Sequence, residues 1–216
     1  MAHLMNGFPK SSRLALLTYA LIGGACGSGG PELPPVPSAE ERLETAKLID
    51  EARGFDPFLI GMPLSKVVNV GKPDSYLYVE NGVRLSTYRK TRMIVKIGGT
   101  NFPDISLFFG KAKEMQMYRF SRSLDDEIND ARASAGPKGL DIAEGEEEER
   151  LEAFRDLHKA GCESAAGKFA EVWGRGTPQG FTKLVWQGNE VQASWEYTDI
   201  RGVPVCLVEV RAVNPR

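Results

Sequence analysis

The sequence predicts an α+β fold, with helices packed on an antiparallel sheet. Three observations predict it. Asn81-Gly82 separates two runs of alternating apolar and polar residues, the strongest short-range hairpin signal. Strand-like alternation fills two blocks, 76–120 and 182–213, punctuated by turn residues. Capped segments with helical spacing precede and separate those blocks.

The elements follow in chain order. Ser38 caps a helix to residue 52, and Glu41 three positions on completes a capping box; Leu43, Ala46, Leu48 and Ile49 supply a partial apolar stripe. A second short helix is expected after Pro63, capped by Ser65 and stopped by Gly71-Lys-Pro73. Strands are expected at Tyr76–Glu80, Val83–Lys90, Met93–Ile97, Ile105–Phe109 and Glu114–Phe120. Leu124–Ala133 reads as a helix capped by Ser123 or Ser121, and the Gly/Pro-containing stretch from Gly136 as a linker. Glu146–Gly161 is a helix whose acids gather in the first turn, where the dipole favours them. A separate short helix, Ser164–Trp173, is broken by Gly174-Arg-Gly-Thr-Pro178. Strands then return at Thr182–Trp186, Glu190–Tyr197 and Gly202–Val213.

Leu64–Pro73 and Phe169–Pro178 match in kind: Val67 and Val172, Gly71 and Gly176, and both prolines fall at equal offsets, and each stretch precedes a strand, a Gly/Asn turn and another strand. The match predicts a tandem repeat of a helix-plus-hairpin unit. Chance similarity is the open alternative, because Gly-x-Pro commonly follows a helix. The expected organisation is residues 1–26 as a signal, 27–39 as a tether, 40–134 as a first α+β unit, 135–146 as a linker and 147–216 as a second unit.

Lys10 and Arg13 precede the apolar run Leu14–Ile22, followed by Gly23-Gly-Ala-Cys26. A basic start, a short apolar middle and small residues before a cut site make a secretory signal, and the run is too short for a bilayer core that needs about 20 residues. The cysteine at the cut site points to a bacterial lipoprotein, with Cys26 lipidated; cleavage after Ala25 by an ordinary signal peptidase is the alternative. Gly27–Ser38, flexible at its glycine end and stiffened by prolines, would hold a folded body away from the membrane. Gly27 after the cysteine, in lipoproteins of this kind, goes with the outer membrane, facing the periplasm.

The chain has three cysteines. With Cys26 acylated, Cys162 and Cys206 remain as a pair. Cys162 shares a helix side with Leu151 and Phe154, and Cys206 alternates in phase with Val208 and Val210. Both therefore face one helix–sheet interface, where a disulfide fits and would stabilise by roughly 4 kcal/mol in the chain-entropy picture. Two small buried hydrophobes are the other reading.

The charge balance of −2 gives no general field for nucleic acid. The chain has only His3 and His158, and His3 would be lost with the signal, so no His₂ or His₃ metal centre can be built, and no Walker or dinucleotide-binding pattern occurs. His158 falls on its helix's apolar stripe and reads as a packed histidine. No catalytic residue, metal ligand or cofactor is singled out. Strand parity suggests one core face and one face bearing Arg84, Tyr88, Lys96 and Phe108, the residue types that protein-binding surfaces use; coverage of that face by another element is the alternative.

Gly61-Met-Pro-Leu-Ser-Lys-Val67, followed by Gly71-Lys-Pro73, resembles a motif of small outer-membrane lipoproteins, a group that includes the small lipoprotein subunit of the β-barrel assembly machine. A tandem form of the same unit is found in the β-lactamase inhibitor protein. The resemblance covers residues 57–90, with a weaker echo at 164–200. It implies helices on a small antiparallel sheet and a non-enzymatic binding scaffold in the cell envelope, whose partner is another envelope protein. Two further readings stand beside it: a carrier or sensor of a small ligand or lipid held between sheet and helices, and an enzyme.

Overall fold

The computed structural model describes residues 33–215, except 69, 75–76, 91–92 and 136–146. The proposed signal, Cys26, residues 27–32 of the tether and residues 136–146 of the linker lie outside the described residues.

Helix α1 (Ala39–Ala52) starts at the capping box read from the sequence: the Ser38 hydroxyl accepts from the Glu41 amide, and Glu41 accepts from the Ser38 amide. Its stripe buries Ile49 and Thr45, whereas Leu43 is exposed. Two-residue strands β1 (Gly54–Phe55) and β2 (Phe58–Leu59) follow. The short helix expected after Pro63 is a single 3-10 turn, Leu64–Lys66, with Pro63 itself in the capping position.

The central element is one antiparallel sheet of eight strands. The first half of the chain contributes β3 (Leu77–Glu80), β4 (Val83–Lys90), β7 (Asp104–Phe109) and β8 (Met115–Ser123). The second contributes β9 (Thr177–Gln179), β10 (Lys183–Gln187), β11 (Val191–Ile200) and β12 (Val203–Ala212). The spatial order is β3-β4-β7-β8-β12-β11-β10-β9. Each half forms a four-strand meander, and the two meet where β8 pairs with β12, from Ser123–Val205 to Met117–Arg211. Asn81 (φ 48°) and Gly82 (φ 79°) close the β3–β4 hairpin in the left-handed geometry that the Asn-Gly pair favours. A separate hairpin, β5 (Val95–Ile97) and β6 (Thr100–Phe102), leaves the main sheet and packs towards the helices.

Helix α2 (Leu124–Ala135) follows β8 directly and is capped by Ser123, whose hydroxyl accepts from the Asp126 amide while Asp126 accepts from the Ser123 amide. The two helices expected at 146–161 and 164–173 are one, α3 (Glu147–Trp173). The core lies between the helices and one sheet face. Phe169, Trp173, Trp186 and Trp195 fill its centre, and Phe169 stacks on Trp173 with ring centroids 4.8 Å apart. Trp186 is also anchored at its indole, which donates to the Gly174 carbonyl at 2.8 Å. The two stretches read as repeats differ here: one is a single turn, the other the end of a 27-residue helix.

The end of α1 is pinned to the β10–β11 turn by Asp50. One carboxylate oxygen accepts from the Glu190 and Val191 amides, the other from the Asn189 amide and side chain. Gly188 permits this approach, since a Cβ there would sit 2.1 Å from that carboxylate. Burial pushes the Asp50 pKa up, but the amide donors outweigh it and hold it below the ordinary aspartate value. With the folded value depressed, the contribution is complete above the unfolded pKa and is lost as pH falls through the folded one. Asp50→Asn should cost about 1–2 kcal/mol at neutral pH. The deficit should shrink below about pH 4; urea titrations at pH 7 and pH 3 measure both.

Candidate functional site

The two faces of the sheet have different surroundings. Ile105, Leu107, Tyr118, Phe120, Val208 and Val210 point to the helices and are buried. Their alternates form the reverse face, on which none of the three helices among the described residues packs.

Across the middle of that reverse face runs a connected polar network. Arg119 on β8 donates from two nitrogens to Glu209 on β12, at 2.6 and 3.1 Å. Arg211, two residues on, donates to Gln192 on β11 at 2.7 Å and to Glu80 on β3 at 2.6 Å. Glu80 in turn accepts from the Tyr78 hydroxyl at 3.0 Å. The Tyr78 ring lies 5.0 Å from that of Phe108, and the Arg119 guanidinium stands 5.8 Å from the Phe108 centroid. The network is half-buried: 33% of the Arg119 side chain, 36% of Arg211 and 16% of Glu209 reach solvent. Burial alone would lower the Arg119 pKa; Glu209 overrides it and the net shift is upward. Burial, with Glu80 second, raises that of Tyr78. Beneath the network Leu85, Phe108 and Met117 form a small buried cluster. Beside it a shallow hollow of about 110 Å³ is lined by Lys183, Val185, Gln192, Ser194, Glu209 and Arg211.

The four residues expected to share one exposed face do not. Register pairs Tyr88 with Leu107 and Thr87 with Phe108, so Tyr88 lies on the helix-bearing side, its ring edge 5.4 Å from Phe109. Arg84 shares that side and is exposed. Phe108 is on the opposite side, where it is buried. Lys96 is exposed on β5, outside the main sheet. Parity within each strand was legible; the phase between strands depends on register, and one residue of slip exchanges the faces. Arg119, Glu209, Arg211 and Tyr78, the residues that join across the bare face, were not singled out. Their signal was present: Arg119 is two from Met117, and Glu209 and Arg211 alternate with Val208 and Val210.

Cys162 and Cys206 are buried free thiols on the two sides of the α3–β12 interface, Cys206 within hydrogen-bonding reach of Cys162. Burial, then Cys206, pushes the Cys162 thiol up. His158, one turn earlier on α3, is buried against the Tyr197 ring at 5.7 Å, and burial holds its pKa down. Among the described residues no group of three or more His, Cys, Asp or Glu is arranged to hold a metal ion, and no helix is long and apolar enough to cross a membrane. No protein-family model matches the chain, and no curated protein or solved structure matches it.

Because both thiols are buried and burial pushes the Cys162 thiol up, reduced folded protein should resist alkylation, and Cys162 and Cys206 should become reactive together on unfolding. Timed iodoacetamide labelling with peptide mass mapping reads this directly; fast modification of either in folded protein would place it outside the interface.

Proposed function

We propose that the protein is an envelope lipoprotein, moored through acylated Cys26, that acts as a non-enzymatic protein-docking module. Its docking surface is the helix-free face of the sheet. The observation that carries this reading is the Arg119–Glu209, Arg211–Glu80–Tyr78 network, half-buried on a face that none of the described helices packs against. Tyr and Arg held in place by neighbours are the residue types that dominate interface energetics, because their side chains are ordered before a partner arrives. The equal contribution of four adjacent strands from each half supports, in addition, a degenerate duplication. The aromatic filling of the space between helices and sheet favours docking over carriage of a ligand in that space.

The membrane attachment and the thiol pair belong to the same reading. In an oxidising envelope a thiol oxidase would take two electrons and two protons from Cys162 and Cys206, leaving a bond that fastens α3 to β12. Two acyl chains on residue 26 would give lasting attachment where one gives marginal binding.

The test is photo-crosslinking in the native envelope, comparing wild type with Arg119→Ala/Arg211→Ala and with Arg84→Ala. Each ion pair is partly exposed, so the double variant should lose about 1–2 kcal/mol of stability and stay folded by circular dichroism. It should lose its crosslinked partner, while Arg84→Ala retains it. An unchanged partner and yield for the double variant would remove the bare face from the proposal. Intact mass of material from its own host should begin at Cys26 with added acyl groups.

A further inference from the structure

A second concavity lies where α1 ends, β8 begins and β12 finishes. It is a cleft of about 360 Å³, within the range of small-ligand sites. Ile60, Val191 and Ala212 give it an apolar floor, and Gln116, Asn189 and Asn214 bring amides to its walls. Its charges are Arg53, Glu114 and Glu190, and none of the three side chains forms an ion pair among the described residues.

The backbone holds Arg53 in an unusual way. It ends α1 with φ 56°, a left-handed conformation that side-chain-bearing residues seldom adopt. Its amide donates to the Ile49 carbonyl at 2.9 Å, and its carbonyl accepts from Ile60 at 2.8 Å. Those two bonds fix where the side chain departs. The guanidinium then lies over Gly61, where a Cβ would meet an Arg53 nitrogen at 2.6 Å. Gly61, itself at φ 83°, is thus the bare surface against which the cation rests. One uncommon backbone conformation thus sets a guanidinium over a bare glycine, and that cation has no charged partner among the described residues.

We propose that this cleft binds a small zwitterion, a free amino acid or short peptide carrying both an ammonium and a carboxylate. Arg53 takes the carboxylate through paired N–H donors, the geometry that guanidinium offers and ammonium does not. Glu114 and Glu190 receive the ammonium, and the Asn214 amide and the Asn189 side-chain carbonyl bond the remaining polar edges. One cation and two carboxylates match an ammonium-bearing zwitterion better than a simple anion, which the two glutamates would repel. This inference is independent of the docking face.

Calorimetric titration of the full chain with alanyl-alanine tests it, beside N-acetyl-alanyl-alanine and alanyl-alaninamide. The free dipeptide should bind saturably. Each blocked form should bind at least about tenfold more weakly, as should Arg53→Met with the free dipeptide, since each removes a charge-assisted pair. Glu190→Gln should weaken the dipeptide and spare the carboxylate contact, so that it no longer discriminates as strongly against the acetylated form. Circular dichroism confirms that both variants fold. Absence of saturable binding in the millimolar range, or equal binding of free and blocked peptides, would overturn the proposal. Binding unaffected by Arg53→Met would overturn it equally, and none of these results bears on partner capture by the sheet.

Discussion

The pairing of β8 with β12 is the constraint on which the rest depends. Without it each half of the chain would present a long unpaired edge, a template for association with other chains. With it, the halves share one eight-stranded sheet, and both edges become short strands, β3 and β9. The same register sets the alternation across the seam. Phe120 meets Val208 and Tyr118 meets Val210 on one side, whereas Arg119 meets Glu209 on the other. The hydrophobic interior and the charged bare face are therefore two consequences of one set of backbone hydrogen bonds.

On the interior side, packing is reinforced by polar groups placed where they can be satisfied. Arg122, almost wholly buried, bonds Glu127 and Asp130 on α2 and the Asn101 carbonyl on β6, so it ties the sheet to the helical layer and to the small hairpin. Tyr118, fully buried, accepts from the Phe55 amide at 2.6 Å, and burial raises its pKa far from any physiological value. Such groups, once enclosed, must keep their partners, because an orphaned one costs as much as the bond it lost. They fix where α1, α2 and the β1–β2 segment sit, and so shape the cleft around Arg53.

Legibility in the sequence followed the range of the physics. Asn81-Gly82 and the Ser38 and Ser123 caps are local features, and the structure has them. Gly161 reads locally as a helix end. Within α3 it instead allows close approach of Thr100, whose hydroxyl donates to the Gly161 carbonyl at 2.8 Å, so a tertiary contact decides the role of that glycine. The turn at Leu64–Lys66 has local helical signals and too few residues to propagate them. The docking candidates failed for a different reason: Tyr88 and Phe108 are on adjacent strands, and only the β4–β7 register says that they face apart. The Arg119–Glu209 and Arg211–Glu80 pairs likewise join residues far apart in the chain.

Native-state hydrogen exchange resolved by residue tests the central claim most directly, because a continuous sheet makes its seam the last part to open. The account predicts that amides of Met115–Ser123 and Val203–Ala212 are the slowest in the molecule, exchanging as one cooperative unit, with β3 and β9 much faster. Early exchange along β8 and β12, with protection retained separately within each half, would show two independent bodies and contradict the shared sheet on which both the core and the bare face rest.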